Sequence, residues 1–473
     1  MSKISRYNVF EMRNKYYLYD WKRIETYEIS SEMYDFFRDK KDLTQDEFLV
    51  ALGMSQIAYK EDIVNLVNDE KLFYDRDNCD AGLFDISSIN IMCGVGYKCN
   101  LDCEYCMLKE KDEELDDIDE TKLIVNIISV LEEVYSVYDE IKITITDGGE
   151  PFLFRNQIIK LINEINRVDI HKRVKLIVVT NGTIYDEQLL KVLDDNKVSI
   201  VFSLDGHLEN NIVRKSKNGE DNFLISTENY KKFHEILESQ ISNNIWGISV
   251  VNVKTKSLVT TLMDLYELGF RTIQMRIVKG MKESIGINET NLNHFLELYS
   301  ELFDFLICNV KKGDEKYIKA ILNNGDFVGQ LMVPLLLGRA KFKRCLGAYS
   351  TISIDYKGRI YPCTFLNGNP NSEIRSLEYS DVVAHKYRDI NVYTVAKCSV
   401  CWASTVCGGH CPYQAMKCGN AYDEPDLVMC KLTKYVVENI ISLIDIMEEY
   451  NFEMYERIYE FAKKRTYIYD ILE

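Results

Sequence analysis

Nowhere does the chain run to the roughly eighteen consecutive apolar residues of a membrane-spanning helix, and the opening MSKISRYNVFEMRNKYYLYDWKR carries no apolar core behind its basic residues. Neither a membrane span nor a secretory signal is expected, which points to the cytoplasm. Basic residues are in deficit: 57 Lys and Arg stand against 74 Asp and Glu, a formal charge of -17. That field is a poor match for a phosphate backbone or an anionic bilayer, so nucleic acid and membrane drop out as partners. There is no internal repeat, and the one biased tract, KEKDEELDDIDE, reads as a solvated loop or helix start.

What the chain does have is length and cysteine. Its 473 residues with 46% hydrophobic content are enough for several packed domains. In a reducing compartment its 14 cysteines argue for metal or thiol chemistry rather than disulfides.

Residues 1–78 alternate in YNVFEM and KYYLYDW and then take helical spacing in SSEMYDFFRD and TQDEFLVALG, where Thr44 and Glu47 form a capping box. This is a small strand-then-helix domain, followed by an acidic, turn-rich linker at 79–85. Across 86–310, six β-branched runs (ISSINIM, IKITIT, VKLIVV, VSIVFSL, WGISVVNV, RTIQMRIV) alternate with helix-like stretches. The pattern predicts a parallel sheet buried on both faces, either doubly wound or a whole or partial β/α barrel, with chemistry at the carboxyl ends of the strands. A bridging region at 311–344 leads to residues 345–430, which hold eight cysteines and a hairpin, STISIDYKGRIYPC, turning at Gly358. Such a segment needs metal to hold it together. The tail, 431–473, is helical by spacing.

Cys99, Cys103 and Cys106 place three thiols on one loop after the first buried strand. Structural zinc closes its tetrahedron with a fourth protein ligand, whereas an iron–sulfur cubane on three thiolates keeps one iron free for a small molecule. Zinc, or a chance cluster, is the competing reading. This CxxxCxxC, with Tyr105 before its last cysteine, resembles the signature of the radical S-adenosylmethionine (SAM) enzymes. Gly148, Gly149, Glu150 and Pro151 match that family's GGEP motif, Asn181 and Gly182 its TNG turn, and Ser203, Leu204, Asp205 and Gly206 the SLDG of its peptide-modifying branch. Turn capping is the plainer account of Ser203 and Asp205 taken singly. What lifts the set is its order, each piece falling at the correct strand end. The resemblance implies a partial (β/α)6 barrel, a [4Fe-4S] cluster on the three cysteines, and SAM bound by Gly148, Gly149, Glu150, Pro151, Asn181, Ser203, Asp205 and Arg214. Ser203 and Arg214 would lie near its carboxylate, although Arg214 stands about one position short of the usual family spacing.

Cys345, Cys363, Cys398, Cys401, Cys407, Cys411 and Cys430 resemble the seven-cysteine SPASM domain, with a zinc ribbon as the alternative. That resemblance implies two auxiliary [4Fe-4S] clusters, three in all. The outer one would sit on Cys398, Cys401, Cys407 and Cys430, and the inner one on Cys345, Cys363 and Cys411. Residues 346–362 supply no fourth inner cysteine, so either Cys418 closes the inner site or an open iron accepts a substrate thiolate. Cys308 reads as a buried core cysteine.

Relatives of this type include anaerobic sulfatase maturases, in which an aspartate after the second SPASM cysteine acts as base. Here that position is Thr364, a poor base near neutral pH. The N-terminal domain resembles, in topology, the winged-helix-like element that binds a precursor's leader peptide; an accessory or dimerisation domain is the alternative. The expectation is a maturase that installs thioether links in a ribosomally made precursor peptide, fed electrons by an external donor of flavodoxin or ferredoxin type. Sulfatase-type maturation, carbon–carbon cross-linking and epimerisation use the same parts. A non-catalytic iron–sulfur peptide-binding or electron-transfer protein would show no SAM cleavage at all.

Overall fold

The computed structural model describes residues 3–69, 71–74, 88–106, 120–135, 138–146, 148–167, 174–206, 208–237, 245–280, 284–376 and 381–469. The expected linker at 79–85 and nearly all of the acidic tract lie outside them.

The N-terminal domain begins with β1 (Ile4–Ser5), β2 (Tyr7–Met12), β3 (Lys15–Asp20) and β4 (Glu25–Ile29), the last three forming an antiparallel sheet in the order β2-β3-β4. Arg13 and Asn14, both at positive φ (50° and 62°), make the two-residue turn between β2 and β3, the backbone twist that a tight hairpin requires. Helices Ser31–Lys40, Gln45–Met54 and Lys60–Asn68 follow, and β5 (Phe73–Tyr74) returns to pair with β1. The capping box forms: Thr44 accepts from the Glu47 amide, and the Glu47 carboxylate accepts from the Thr44 amide. One face of the sheet packs on these helices through Tyr7, Leu18, Phe37, Phe48 and Phe73. The other face, with Phe10, Tyr17, Tyr19 and Trp21, joins the core of the rest of the chain.

All six β-branched runs become strands of one sheet: β6 (Ser88–Cys93), β8 (Glu140–Ile145), β9 (Val174–Thr180), β10 (Ser199–Ser203), β12 (Ile245–Val251) and β13 (Ile273–Ile277). They lie parallel in chain order, with helices such as Arg155–Arg167 and Glu187–Asp195 in the crossovers. The core is thus the partial barrel rather than a doubly wound sheet, in which the strand order would reverse. A second ladder lies outside it, β7 (Leu101–Cys103) against β11 (Arg214–Ser216).

The hairpin at Gly358 forms as β14 (Thr351–Ile354) and β15 (Ile360–Tyr361), with Gly358 at φ 81°. Its sequence does not announce that β14 also adds in parallel to β6, so that the cysteine-rich segment continues the barrel sheet. Helix Leu427–Tyr450 packs along helix Leu292–Lys311 through two apolar faces, among them Leu302, Leu306, Val436 and Ile440. Cys308 belongs to the latter helix but is exposed, against expectation. The apolar face there is carried by Leu302, Phe303, Leu306 and Val310, and Cys308 falls off that stripe.

Candidate functional site

The first thiol loop leaves β6 and closes through β7, whose Cys103 lies opposite Arg214 of β11. Cys99 and Cys106 both act on the Cys103 thiol, and Cys106 acts on Cys99, which places Cys99, Cys103 and Cys106 together. Burial pushes the Cys103 thiol up to about 12, opposed by Arg214, and raises Cys99 as well. The Cys99 Sγ also accepts from the Leu101 amide (3.4 Å) and from Asn181 Nδ2 (3.8 Å).

The GGEP turn fits against this loop at a distance that only glycine allows. A Cβ on Gly148 (φ 126°) would stand 2.3 Å from the Gly96 carbonyl, and one on Gly149 (φ 106°) 2.2 Å from that of Lys98. Glu150 is buried, and its carboxylate is turned inward. It accepts from Thr180 Oγ1 (2.7 Å) and from the amides of Phe152 (3.0 Å) and Asn181 (2.7 Å), tying the turn to the end of β9. Burial raises its pKa, eased by the Asn181 amide, Thr180, Phe152 and Arg214. Pro151 opens a short 3-10 turn behind it. Asn181 donates to Asn100 (3.0 Å) as well as to Cys99, while its own side-chain oxygen accepts from Thr183.

Ser203, Asp205 and Arg214 converge. Arg214 Nη1 donates to Ser203 Oγ and to the Tyr105 hydroxyl (2.9 Å each), Tyr105 donates to Asp205 Oδ2 (2.7 Å), and the Val250 amide donates to Asp205 Oδ1 (2.7 Å). The charge is buried but balanced: burial raises Asp205, with Arg214 acting against it. Asn222 holds the Arg214 carbonyl. Tyr105, Asn100 and Asn222 are the positioning residues that reading the sequence did not assign. For Tyr105 the signal was its place before the last cysteine; the two asparagines carried none.

The C-terminal cysteines form two further groups. Cys411 acts on Cys345, and both act on Cys363; burial drives Cys363 up to about 12 and raises Cys345, while Lys343 and Lys279 act on Cys345 in the opposite sense. Cys398, Cys401, Cys407 and Cys430 form the second group, with Cys398 and Cys430 pushed up to about 12 by burial and Lys434 easing Cys401 and Cys430. These four line a cavity of about 440 Å³ with Arg276, Arg344 and Lys434. Cys418 is exposed, bonded to Gln414 and Asp426 (3.5 Å each), and its burial and Asp426 raise it to about 11. It does not join the inner three.

This donor set fits iron–sulfur clusters. Bare thiols so raised stay protonated at neutral pH, and only bound metal makes them thiolates. Among the described residues no three His, Cys, Asp or Glu side chains converge on a point that one ion could occupy.

Several known proteins resemble this chain. Residues 94–262 match the Radical SAM superfamily. An uncharacterized protein of Methanocaldococcus jannaschii is 28% identical over 257 residues, 53% of this chain and 85% of that protein. A cysteine-type anaerobic sulfatase-maturating enzyme of Clostridium perfringens is 24% identical over 281 residues, 56% of this chain and 72% of the enzyme. Among solved structures, native anSMEcpe with bound AdoMet and a Cp18Cys peptide superposes with a TM-score of 0.58 at 19% identity, covering 76% of this chain and 99% of that one. With its thiol loop, GGEP turn and most of its parallel strands inside the matched region, the segment 94–262 of this chain is a radical SAM domain.

Proposed function

We propose that the chain is a peptide maturase that joins a cysteine sulfur to a carbon of a ribosomally made precursor as a thioether. Cys99, Cys103 and Cys106 would hold a [4Fe-4S] cluster, and the chemistry supplied there is one-electron cleavage of SAM to a 5′-deoxyadenosyl radical. Gly148 and Gly149 give the backbone close approach, with Glu150 and Pro151 fixing the turn. Asn181, Ser203, Asp205 and Arg214 form the polar wall for the methionine end of SAM. Arg214 reaches Ser203 and Tyr105 despite its shortened spacing, because β11 pairs with the thiol loop itself.

The observation that carries the thioether reading is the inner group. Among the described residues Cys345, Cys363 and Cys411 gather with no fourth cysteine, since Cys418 faces Gln414 and Asp426, and that would leave a position for a substrate thiolate. The residue after Cys363 is the buried Thr364, not a carboxylate base. Each link removes a hydrogen atom from carbon, a proton from the thiol and one electron. The hydrogen atom would end in 5′-deoxyadenosine and the proton in water, and the seven C-terminal cysteines would hold the centres able to take up the electron.

The N-terminal domain would hold the leader. Among the described residues strand β4 pairs with β3 alone, so its other edge would take an added strand. Leader affinity then raises the effective concentration of the core peptide at the barrel. An external flavodoxin- or ferredoxin-type donor would supply the cleavage electron.

A second reading, sulfatase-type maturation, is favoured by the likeness to the Clostridium perfringens enzyme. The deciding experiment is anaerobic turnover of a precursor peptide captured from the source cells on the full chain, followed by intact mass and thiol alkylation. Loss of two hydrogens together with one alkylatable thiol per event is the thioether result. Loss of two hydrogens with every thiol still reactive refutes it in favour of carbon–carbon linkage or serine oxidation.

A further inference from the structure

The loop that carries three of the four outer cysteines has a second face, and the N-terminal domain is seated on it. Arg6 Nη1 donates to the carbonyl of Ser399, the residue after Cys398 (3.0 Å). Trp402, the residue after Cys401, stacks on Phe10 of β2 (centroids 6.5 Å, planes 16° apart) and meets Tyr19 of β3 edge to face (6.0 Å, 78°). Thr405, two residues before Cys407, is buried and donates to the carbonyl of Trp21 (2.6 Å). The fourth outer cysteine, Cys430, lies in the first turn of helix Leu427–Tyr450. The same N-terminal sheet grips that helix further along: Arg13 donates to Asn439 (2.8 Å), and Lys15 and Tyr17 donate to Asp445 (2.8 and 3.0 Å). Every element that bears an outer thiol therefore touches the N-terminal domain.

A loop of this kind has few ways to hold its shape without its ligands. Helices Ala396–Ser399 and Ser404–Cys407 are single turns, too short to hold themselves. Bound metal fixes Cys398, Cys401 and Cys407 relative to one another, and in doing so fixes Ser399, Trp402 and Thr405, which lie between them. We propose that the outer cluster is the docking platform of the N-terminal domain, with Trp402 as the positioning residue, so that loading the outer site sets the seat of the sheet. Linkage makes the effect reciprocal: what binds the N-terminal sheet is felt at the outer cluster. On the maturase reading, β4 is one strand away from Tyr19, which places the leader's edge two strands from Trp402. The docking itself rests only on the assignment of the outer cysteines as metal ligands.

The test uses the full chain, reconstituted anaerobically with iron and sulfide, and reads amide hydrogen exchange across residues 3–74 together with the iron count. Cys398→Ser with Cys401→Ser should lower the iron count and speed exchange in β2 and β3 by about tenfold or more, while substitution of Cys99, Cys103 and Cys106 leaves those strands unchanged. Trp402→Ala should speed the same exchange with the iron count kept, and should shift the midpoint potential of the outer cluster; Trp402→Phe should restore both. Trp402→Ala also carries the test if the double cysteine variant does not fold. Unchanged exchange in Trp402→Ala, or in the iron-depleted double variant, overturns the docking proposal. An iron count indifferent to Cys398 and Cys401 overturns the metal assignment beneath it. No precursor is used, so these outcomes are independent of whether thioethers are made.

Discussion

Tyr105→Phe removes one oxygen from the site and keeps the ring, so it isolates the hydroxyl that joins Arg214 to Asp205. That hydroxyl donates to Asp205 Oδ2 at 2.7 Å and accepts from Arg214 Nη1 at 2.9 Å, and the two charged residues are only 2% and 3% exposed. Without it, Asp205 keeps the Val250 amide and Arg214 keeps Ser203, so each loses one partner of at least two. A buried polar group left short of a partner costs about 1–3 kcal/mol, and two such ends, each partly satisfied, give about 2–4 kcal/mol. At about 1.4 kcal/mol per decade, amide exchange in β10 and β11 should accelerate at least about thirtyfold. The pH dependence has a definite sign. Burial already holds Asp205 above the ordinary carboxylate range, and Tyr105 is one of the groups pulling it back down, so the variant raises it further. A carboxyl raised in the folded state binds protons more readily folded than unfolded, and its destabilising effect fades as pH falls through the folded pKa. The gap between variant and parent should therefore narrow on acidification. Exchange at β10 and β11 that changes less than about threefold, or a gap that widens toward acid, would refute the reasoning.

Gly149→Ala meets the Lys98 carbonyl at 2.2 Å from a φ of 106°, and backbone strain alone is about 1–3 kcal/mol. The thiol loop must shift, so iron at the first site and formation of 5′-deoxyadenosine should fall together by about tenfold or more, measured by iron assay and chromatography. Replacing Cys99, Cys103 and Cys106 with alanine should abolish SAM cleavage while the Mössbauer signal of the remaining clusters persists; continued cleavage would contradict the site. Asp326 accepts from the amides of Met275, Val328 and Gly329, yet burial raises it to about 7. Its contribution to stability is largest in acid and declines as pH rises from about 4 to about 7, so Asp326→Asn should flatten that part of a profile of unfolding midpoint against pH.

How much of this was legible in the sequence follows from the range of the interactions. The six parallel strands are written in β-branched runs, and the Gly358 hairpin in its turn residue, because periodicity and turn chemistry are local. The addition of β14 to β6 is a backbone pairing between residues some 260 positions apart, and nothing in either segment advertises its partner. The same division holds inside the site. Gly148 and Gly149 stand out because the close approach to Gly96 and Lys98 forbids any other side chain. For Glu150 a motif fixes where the carboxylate sits in the chain, whereas its partners Thr180 and Asn181 come from another strand end.

Trp402 is the extreme case. Read along the chain, it is one aromatic residue among cysteines, in a segment whose spacing already has an explanation in metal ligation. Its other role appears only when Phe10 and Tyr19, nearly 400 positions earlier, are brought against it. The two roles are compatible because they use opposite faces of the same loop: thiols turn toward the cavity, and residues 399, 402 and 405 turn toward the N-terminal sheet. A loop that must satisfy both is poorly placed to relax when either is lost. Disturbance at the sheet should therefore reach the outer thiols before it reaches Cys99, Cys103 and Cys106, which the N-terminal sheet does not share.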